Sequence, residues 1–186
     1  MFNFAIIANS VVSNEFKILG CEDFLAATQF IRYMPYARNA NKEDLLTVFS
    51  DGHATCGTKH ALLRQLAIEH GQEDVKLILG MLRMDARFSP KIVYTLERHG
   101  LTYIPEAHNY LMIDGKRFDY TFVNSNSDDF VNDLMLEIEI EPQQISSFKV
   151  DYHRRFLQDW IVKEHISKSL DEVWTIREQC IADLAT

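Results

Sequence analysis

The chain has 186 residues, 47% of them hydrophobic and 25% charged, with 19 basic against 27 acidic side chains and a net charge of -8. A single domain of this length buries a substantial core without staples, and an acidic balance with no dense lysine/arginine block argues against non-specific nucleic-acid or anionic-membrane partners. The three cysteines, Cys21, Cys56 and Cys180, are an odd number at wide spacings, which implies no disulfide framework and a reducing, cytoplasmic setting.

Taken in order, residues 2–9 are expected to form a strand. Their first following lysine is Lys17, so the segment lacks the basic lead of a secretory signal, and no run approaches the roughly 20 apolar residues of a membrane span. Phe24, Leu25, Ala27, Phe30 and Ile31 repeat at helical spacing until Pro35 stops them. Tyr36 to Asn41 reads as polar loop, and Asn41 as the cap of a short helix through about residue 49. Ala61, Leu62, Leu66 and Ala67 then mark an amphipathic helix closed by Gly71, with Cys56 at or near its first turn. Residues 74–84 read as a central strand with Gly80 a bulge or close approach. Ser89-Pro90 opens a helix that Gly100 closes.

Asp114-Gly115 between residues 107–113 and 116–122 is the clearest hairpin signal. Residues 134–140 alternate as a further strand. Two helices finish the chain. One spans about 145–162 with Phe148, Tyr152, Phe156 and Trp160 along one side, and the other opens on a Ser169/Glu172 capping box. The count of about five strands and five or six helices predicts an α+β domain, its core at about 20–141 and its C-terminal helices at about 145–186. The terminal aromatics, including Trp174, are assigned to core or a dimer interface.

The chemistry-bearing residues converge. A cysteine at a helix N-terminus meets unpaired N–H groups and the positive end of the helix dipole, which favour its thiolate. A two-residue turn at Asp114-Gly115 fixes the hairpin register, so one face carries His108, Tyr110, Met112, Arg117, Asp119 and Thr121. His108 and Asp119 are diagonal neighbours there, about 7–8 Å apart at Cα and within reach of a side-chain hydrogen bond. Cys56 as nucleophile, His108 as general acid/base and Asp119 as orienter form a complete set for acyl chemistry through a thioester. The Cys56 N–H can be one oxyanion donor, and Asn39, Asn41, Gln29 or Tyr36 the second.

Cys56 followed by Leu62-Leu63 on one helix, then His108 in A-H-N-Y-L-M-I and Asp119 in K-R-F-D-Y-T, resembles the transglutaminase-like superfamily of papain-like cysteine enzymes. The resemblance covers about residues 50–121. It implies a Cys-bearing helix packed on an antiparallel sheet bearing the histidine and aspartate, and hydrolysis or acyl transfer on a peptide, protein or small amide without a cofactor. The chain departs from the family in having Gly57-Thr58-Lys59-His60 where an acidic and aromatic pair is common, and Asn109 where an aromatic follows the histidine.

Two other readings use the same residues. A binding or scaffold protein would retain the fold without turnover. A metal-binding protein would use His53, Cys56 and His60, spaced H-x2-C-x3-H; against it, His60 and Lys59 read as the solvent edge of the helix. Arg38, Arg83, Arg87 and Arg117 are candidates for a substrate carboxylate. Cys21 and Cys180 are read as core.

Overall fold

The structure, a computed structural model, describes residues 2–184. Helices α1 (Val11–Ile18), α2 (Phe24–Tyr33), α3 (Thr47–Asp51) and α4 (Cys56–Ile68) precede strand β1 (Val75–Asp85). After it come α5 (Val93–Arg98), β2 (Tyr103–Ile113), β3 (Lys116–Phe118), β4 (Leu134–Ile140), α6 (Ser147–Lys163) and α7 (Leu170–Leu184). The strands form one antiparallel sheet in the order β3-β2-β1-β4. The architecture is α+β.

The main core lies between this sheet and the first four helices. Phe16, Phe24, Ile31, Leu62, Leu63 and Leu66 meet Leu77, Leu79, Met81 and Leu111 there. A second cluster joins Met84 and Ile104 to Leu96 of α5, Leu157 and Trp160 of α6, and Val173, Ile176 and Cys180 of α7. Cys21 is buried in the first cluster and Cys180 in the second, both as free thiols.

Local chemistry explains most boundaries. Asp23 caps α2 by accepting the Ala26 N–H at 2.8 Å, and α2 ends before Pro35. Asp114 and Gly115 have φ of 51° and 74°, the doubly left-handed geometry that a tight two-residue hairpin requires. The register is Ile113↔Lys116, Met112↔Arg117 and Leu111↔Phe118. Gly80 is a close approach: a Cβ there would lie 2.9 Å from both Leu134 Cδ1 and Tyr110 Cε1, and the pairing with β4 shifts just beyond it, between Met81 and Leu82. The Ser169/Glu172 box is present, with Ser169 N–H bonded to the Glu172 carboxylate at 2.7 Å.

Other expectations are corrected. Residues 2–9 make no strand, only a bridge from Ala5 to Asp23. Their backbone groups go instead to the start of α2, as in Phe24 N–H to Phe4 C=O, and to the imidazole of His70, which accepts the Ile7 and Ala8 N–H groups. The described residues therefore hold four strands, not five. Helix α1 was not anticipated from its own sequence; Ser10 makes no side-chain cap, and the Glu69 carboxylate caps it from α4.

Between Asn41 and Leu46 the side chains of Asn41 and Asp44 hold turns by accepting nearby N–H groups, so the helix begins only at Thr47. Helix α4 is not amphipathic near its start. Every residue from Cys56 to Arg64 is buried, because sheet and helices cover it on all sides. On α6 the buried residues are His153, Leu157, Trp160 and Ile161. Of the expected stripe, Trp160 is buried and Tyr152 and Phe156 pack on the main core, while Phe148 is exposed; α6 also packs on α7 and lies across β2, where His153 Nε2 meets the Pro105 carbonyl at 2.9 Å.

Candidate active site

Thr55 caps α4 reciprocally with Thr58: the Thr58 hydroxyl accepts the Thr55 N–H at 2.9 Å, and the Thr55 hydroxyl accepts the Thr58 N–H at 3.4 Å. The Thr58 hydroxyl donates onward to Asn39 Oδ1 at 2.7 Å, and Asn39 Nδ2 donates to the His53 carbonyl at 2.8 Å. The loop before α4 is thereby tied to its first turn. Cys56 is the first residue of the helix, where the N–H groups have no intrahelical acceptor. Gly57 follows because nothing larger fits easily. A Cβ there would stand 3.3 Å from Asn109 Oδ1 and 3.6 Å from Lys149 Nζ. Lys149, on α6, donates to that same Oδ1 at 2.6 Å.

The histidine and carboxylate reach Cys56 where the hairpin stops pairing. In a two-residue hairpin alternate pairs exchange ladder bonds, so after Leu111/Phe118 the next such pair would be Asn109/Tyr120. It does not form. The Tyr120 N–H donates to His60 Nε2 at 2.8 Å, and the Asn109 N–H serves the Cys56 sulfur. Asp119 thus lies just past β3 rather than on it. Its Oδ2 still accepts His108 Nε2–H at 3.0 Å, as the predicted face requires. A carboxylate can only accept, so the neutral ring carries its proton on Nε2 and presents Nδ1 to the Cys56 thiol, to which it is hydrogen-bonded. Asp119 Oδ1 accepts the Thr121 N–H at 2.8 Å and the Thr121 hydroxyl at 2.5 Å.

These contacts shift the titrations together. Burial alone would push the Cys56 thiol up, but the Lys149 ammonium, the His108 ring and the Asn109 N–H outweigh it and hold it at about 6. Burial opposes the charged form of His108 too, yet the Cys56 thiolate and Asp119 push it up to about 10. Asp119 is held well below the usual carboxylate range: burial raises it, and the hydrogen bond and charge of His108, with the hydrogen bond from Thr121, more than reverse that. The two shifts run in the same sense, the thiol lowered and the ring raised, and so favour a thiolate–imidazolium pair over a neutral one.

Of the four oxyanion candidates, Tyr36 alone is placed at Cys56. Its hydroxyl is hydrogen-bonded to the Cys56 side chain and to the Cys56 backbone N–H, and the adjacent thiolate pushes the phenol up so that it stays protonated. A parallel bridge from Tyr36 to Ala54 and ring contact with Phe122 at 5.2 Å fix it. Asn39 has both ends of its amide engaged in the loop. Asn41 is exposed and accepts the Glu43 N–H, and Gln29 is exposed on α2.

His53, Cys56 and His60 do not converge as ligands. His53 Nε2 faces the Arg38 carbonyl at 3.2 Å, both His60 nitrogens are engaged by backbone, and among the described residues no group of three His, Cys, Asp or Glu side chains could hold a metal ion. The four arginines are ion-paired: Arg38 with Glu178, Arg83 and Arg87 with Asp85, and Arg117 with Glu137.

The solvent-edge reading of Lys59 and His60 is overturned, since both side chains are fully buried beneath the site. Lys149 is a site residue that the sequence reading does not name, and Asn109, Lys59 and His60 are ones to which it gives no part in the triad's support. The departures from the family pattern at Lys59, His60 and Asn109 were the signal that could have found three of them. Comparison of the chain with known protein families, with curated proteins and with solved structures gives no match. No described helix is long and apolar enough to cross a membrane.

Proposed function

We propose that the protein performs cysteine-dependent acyl chemistry, hydrolysing an amide or peptide bond or transferring the acyl group to an amine, on a transglutaminase-like or papain-like arrangement. One observation carries the reading: His108 is bonded through Nε2 to Asp119 at 3.0 Å and through its other nitrogen to a cysteine at the N-terminus of a buried helix. The Cys56 thiolate attacks the acyl carbon. Negative charge gathers on the carbonyl oxygen, where the Cys56 N–H and the Tyr36 hydroxyl are the donors at hand. His108, as imidazolium, protonates the leaving amine and so becomes neutral while the thioester remains. The neutral ring then takes a proton from water or an incoming amine, which attacks the thioester and releases Cys56. Asp119 keeps the ring in one tautomer and stabilises its charged form.

The test is the pH dependence of Cys56 alkylation by iodoacetamide in wild type and His108→Ala, with the label located by mass spectrometry. Wild type should hold a rate plateau down to about pH 6. The variant should react at pH 6.5 on the order of 50- to 100-fold more slowly, as a thiol returned to its ordinary pKa does. Ordinary thiol behaviour in both proteins would sink the proposal and leave a binding role for the fold. A plateau that His108 controls would justify screening amide and ester substrates.

A further inference from the structure

Strand pairing ends at Phe118, yet Asp119, Tyr120 and Thr121 are all buried. Buried backbone groups need partners, and here side chains supply them. The Asp119 carbonyl accepts from Arg32 Nη2 at 3.0 Å, and the Thr121 N–H bonds back to the Asp119 carboxylate at 2.8 Å. The other two contacts come from consecutive residues of α4. His60 Nε2 accepts the Tyr120 N–H at 2.8 Å, and Lys59 Nζ donates to the Thr121 carbonyl at 2.7 Å. Each of these side chains has a second anchor. Because Nε2 accepts a backbone N–H, His60 must carry its proton on Nδ1, which donates to the carbonyl of Cys56 at 2.8 Å. Lys59 Nζ also donates to the Met34 carbonyl at 2.6 Å, two residues before Tyr36.

Core filling does not account for this pair. A fully buried lysine bonded only to carbonyls is a costly way to occupy volume. Among the described residues no carboxylate lies within ion-pair distance of Lys59; its charge is balanced by Asp119 and Cys56 at longer range. His60 stays neutral, held down to about 4 mainly by burial, so it takes no part in proton transfer. What the two residues share is geometry: they join the helix that starts at Cys56 to the two residues that follow Asp119 and, through Met34, to the segment that leads into Tyr36.

We propose that Lys59 and His60 are positioning residues that hold Asp119 against His108, taking the place of the ladder hydrogen bonds that β3 lacks beyond Phe118. The proposal rests on the Cys56–His108–Asp119 reading above. Two substitutions divide the role of His60. In His60→Gln the side-chain oxygen can still accept the Tyr120 N–H, while in His60→Asn the amide can reach only the Cys56 carbonyl. Lys59→Met removes the clamp on Thr121.

The measurements are an NMR titration of the His108 ring and the alkylation pH profile of Cys56. His60→Gln should leave the His108 titration near that of wild type. His60→Asn and Lys59→Met should lower it by about one to two pH units as Asp119 loses its place, and alkylation at pH 6.5 should fall about tenfold. Folded variants that all titrate like wild type, or a glutamine variant that shifts as far as the asparagine one, would overturn the proposal. Wild type gives an independent check should a variant not fold. A through-hydrogen-bond 15N–15N coupling between the Tyr120 amide and His60 Nε2 is expected, and its absence overturns the proposal. Wild type also separates the two ideas. No alkylation plateau means the triad reading has failed, whereas a plateau indifferent to Lys59 and His60 means this one has.

Discussion

The two ends of the β2–β3 hairpin are built on different principles. Near the turn, Ile113/Lys116 to Leu111/Phe118 are paired by backbone, and Asp114-Gly115 has the left-handed geometry that sets their register. At the other end, Asn109 and Tyr120 turn away from each other toward Cys56 and His60, and Arg32, Lys59 and His60 hold what the ladder has released. The first end is local and self-sufficient. The second depends on residues that lie about 60 to 90 positions away in the chain, as the separations of these bonds show. A hairpin that paired to its end would have used the Asn109 and Tyr120 N–H groups on itself, leaving none for the cysteine.

Breaking the open end at its centre should have the largest effect. Asp119→Ala leaves His108 Nε2–H and both the N–H and the hydroxyl of Thr121 without their acceptor. Urea denaturation should show a loss of about 3–5 kcal/mol, accompanied by loss of the low-pH alkylation plateau. A smaller effect distinguishes the ends by pH. His60 is held at about 4, below its ordinary value. Between pH 6.5 and 4 the unfolded chain therefore binds a proton here that the folded chain does not, and stability falls as pH drops. The share should reach roughly 2 kcal/mol by pH 5, read as urea midpoints at pH 7 and pH 5. His60→Gln should remove that share, and an equal acid loss in both proteins would show that the ring is not held neutral. The smallest change belongs at the turn: Gly115→Val forces a branched residue to φ 74° and should cost about 1–2 kcal/mol. Its alkylation profile should match wild type, and a shifted profile would mean the ends are not separable.

The same division governs what could be read in advance. The turn, the register, β4, the helix that starts at Cys56 and the approach of His108 to Asp119 follow from local signals: a dipeptide, an alternation, a helical period. Residues 2–9 and α1 did not, because their partners are Glu69 and His70 at the far end of α4. Lys59 and His60 defeat a polarity rule outright. Nothing within their own helix marks a lysine and a histidine as buried, and their reason for being there is a segment that runs out of strand partners. Tyr36 was one of four equal candidates until the Ala54 bridge placed it.

Glu69 also bears on the order in which the molecule assembles. Helix α1 has 8 residues and no cap of its own, too short to persist alone in water. Its first turn is completed by Glu69 Oε1 on the Val12 N–H at 3.1 Å and Oε2 on the Ser13 N–H at 2.7 Å. Neither bond exists until α4 is complete to its last turn. Helix α1 is thus capped only when α4 is in place, and hydrogen exchange is expected to show its amides opening before those of the sheet and the cysteine helix.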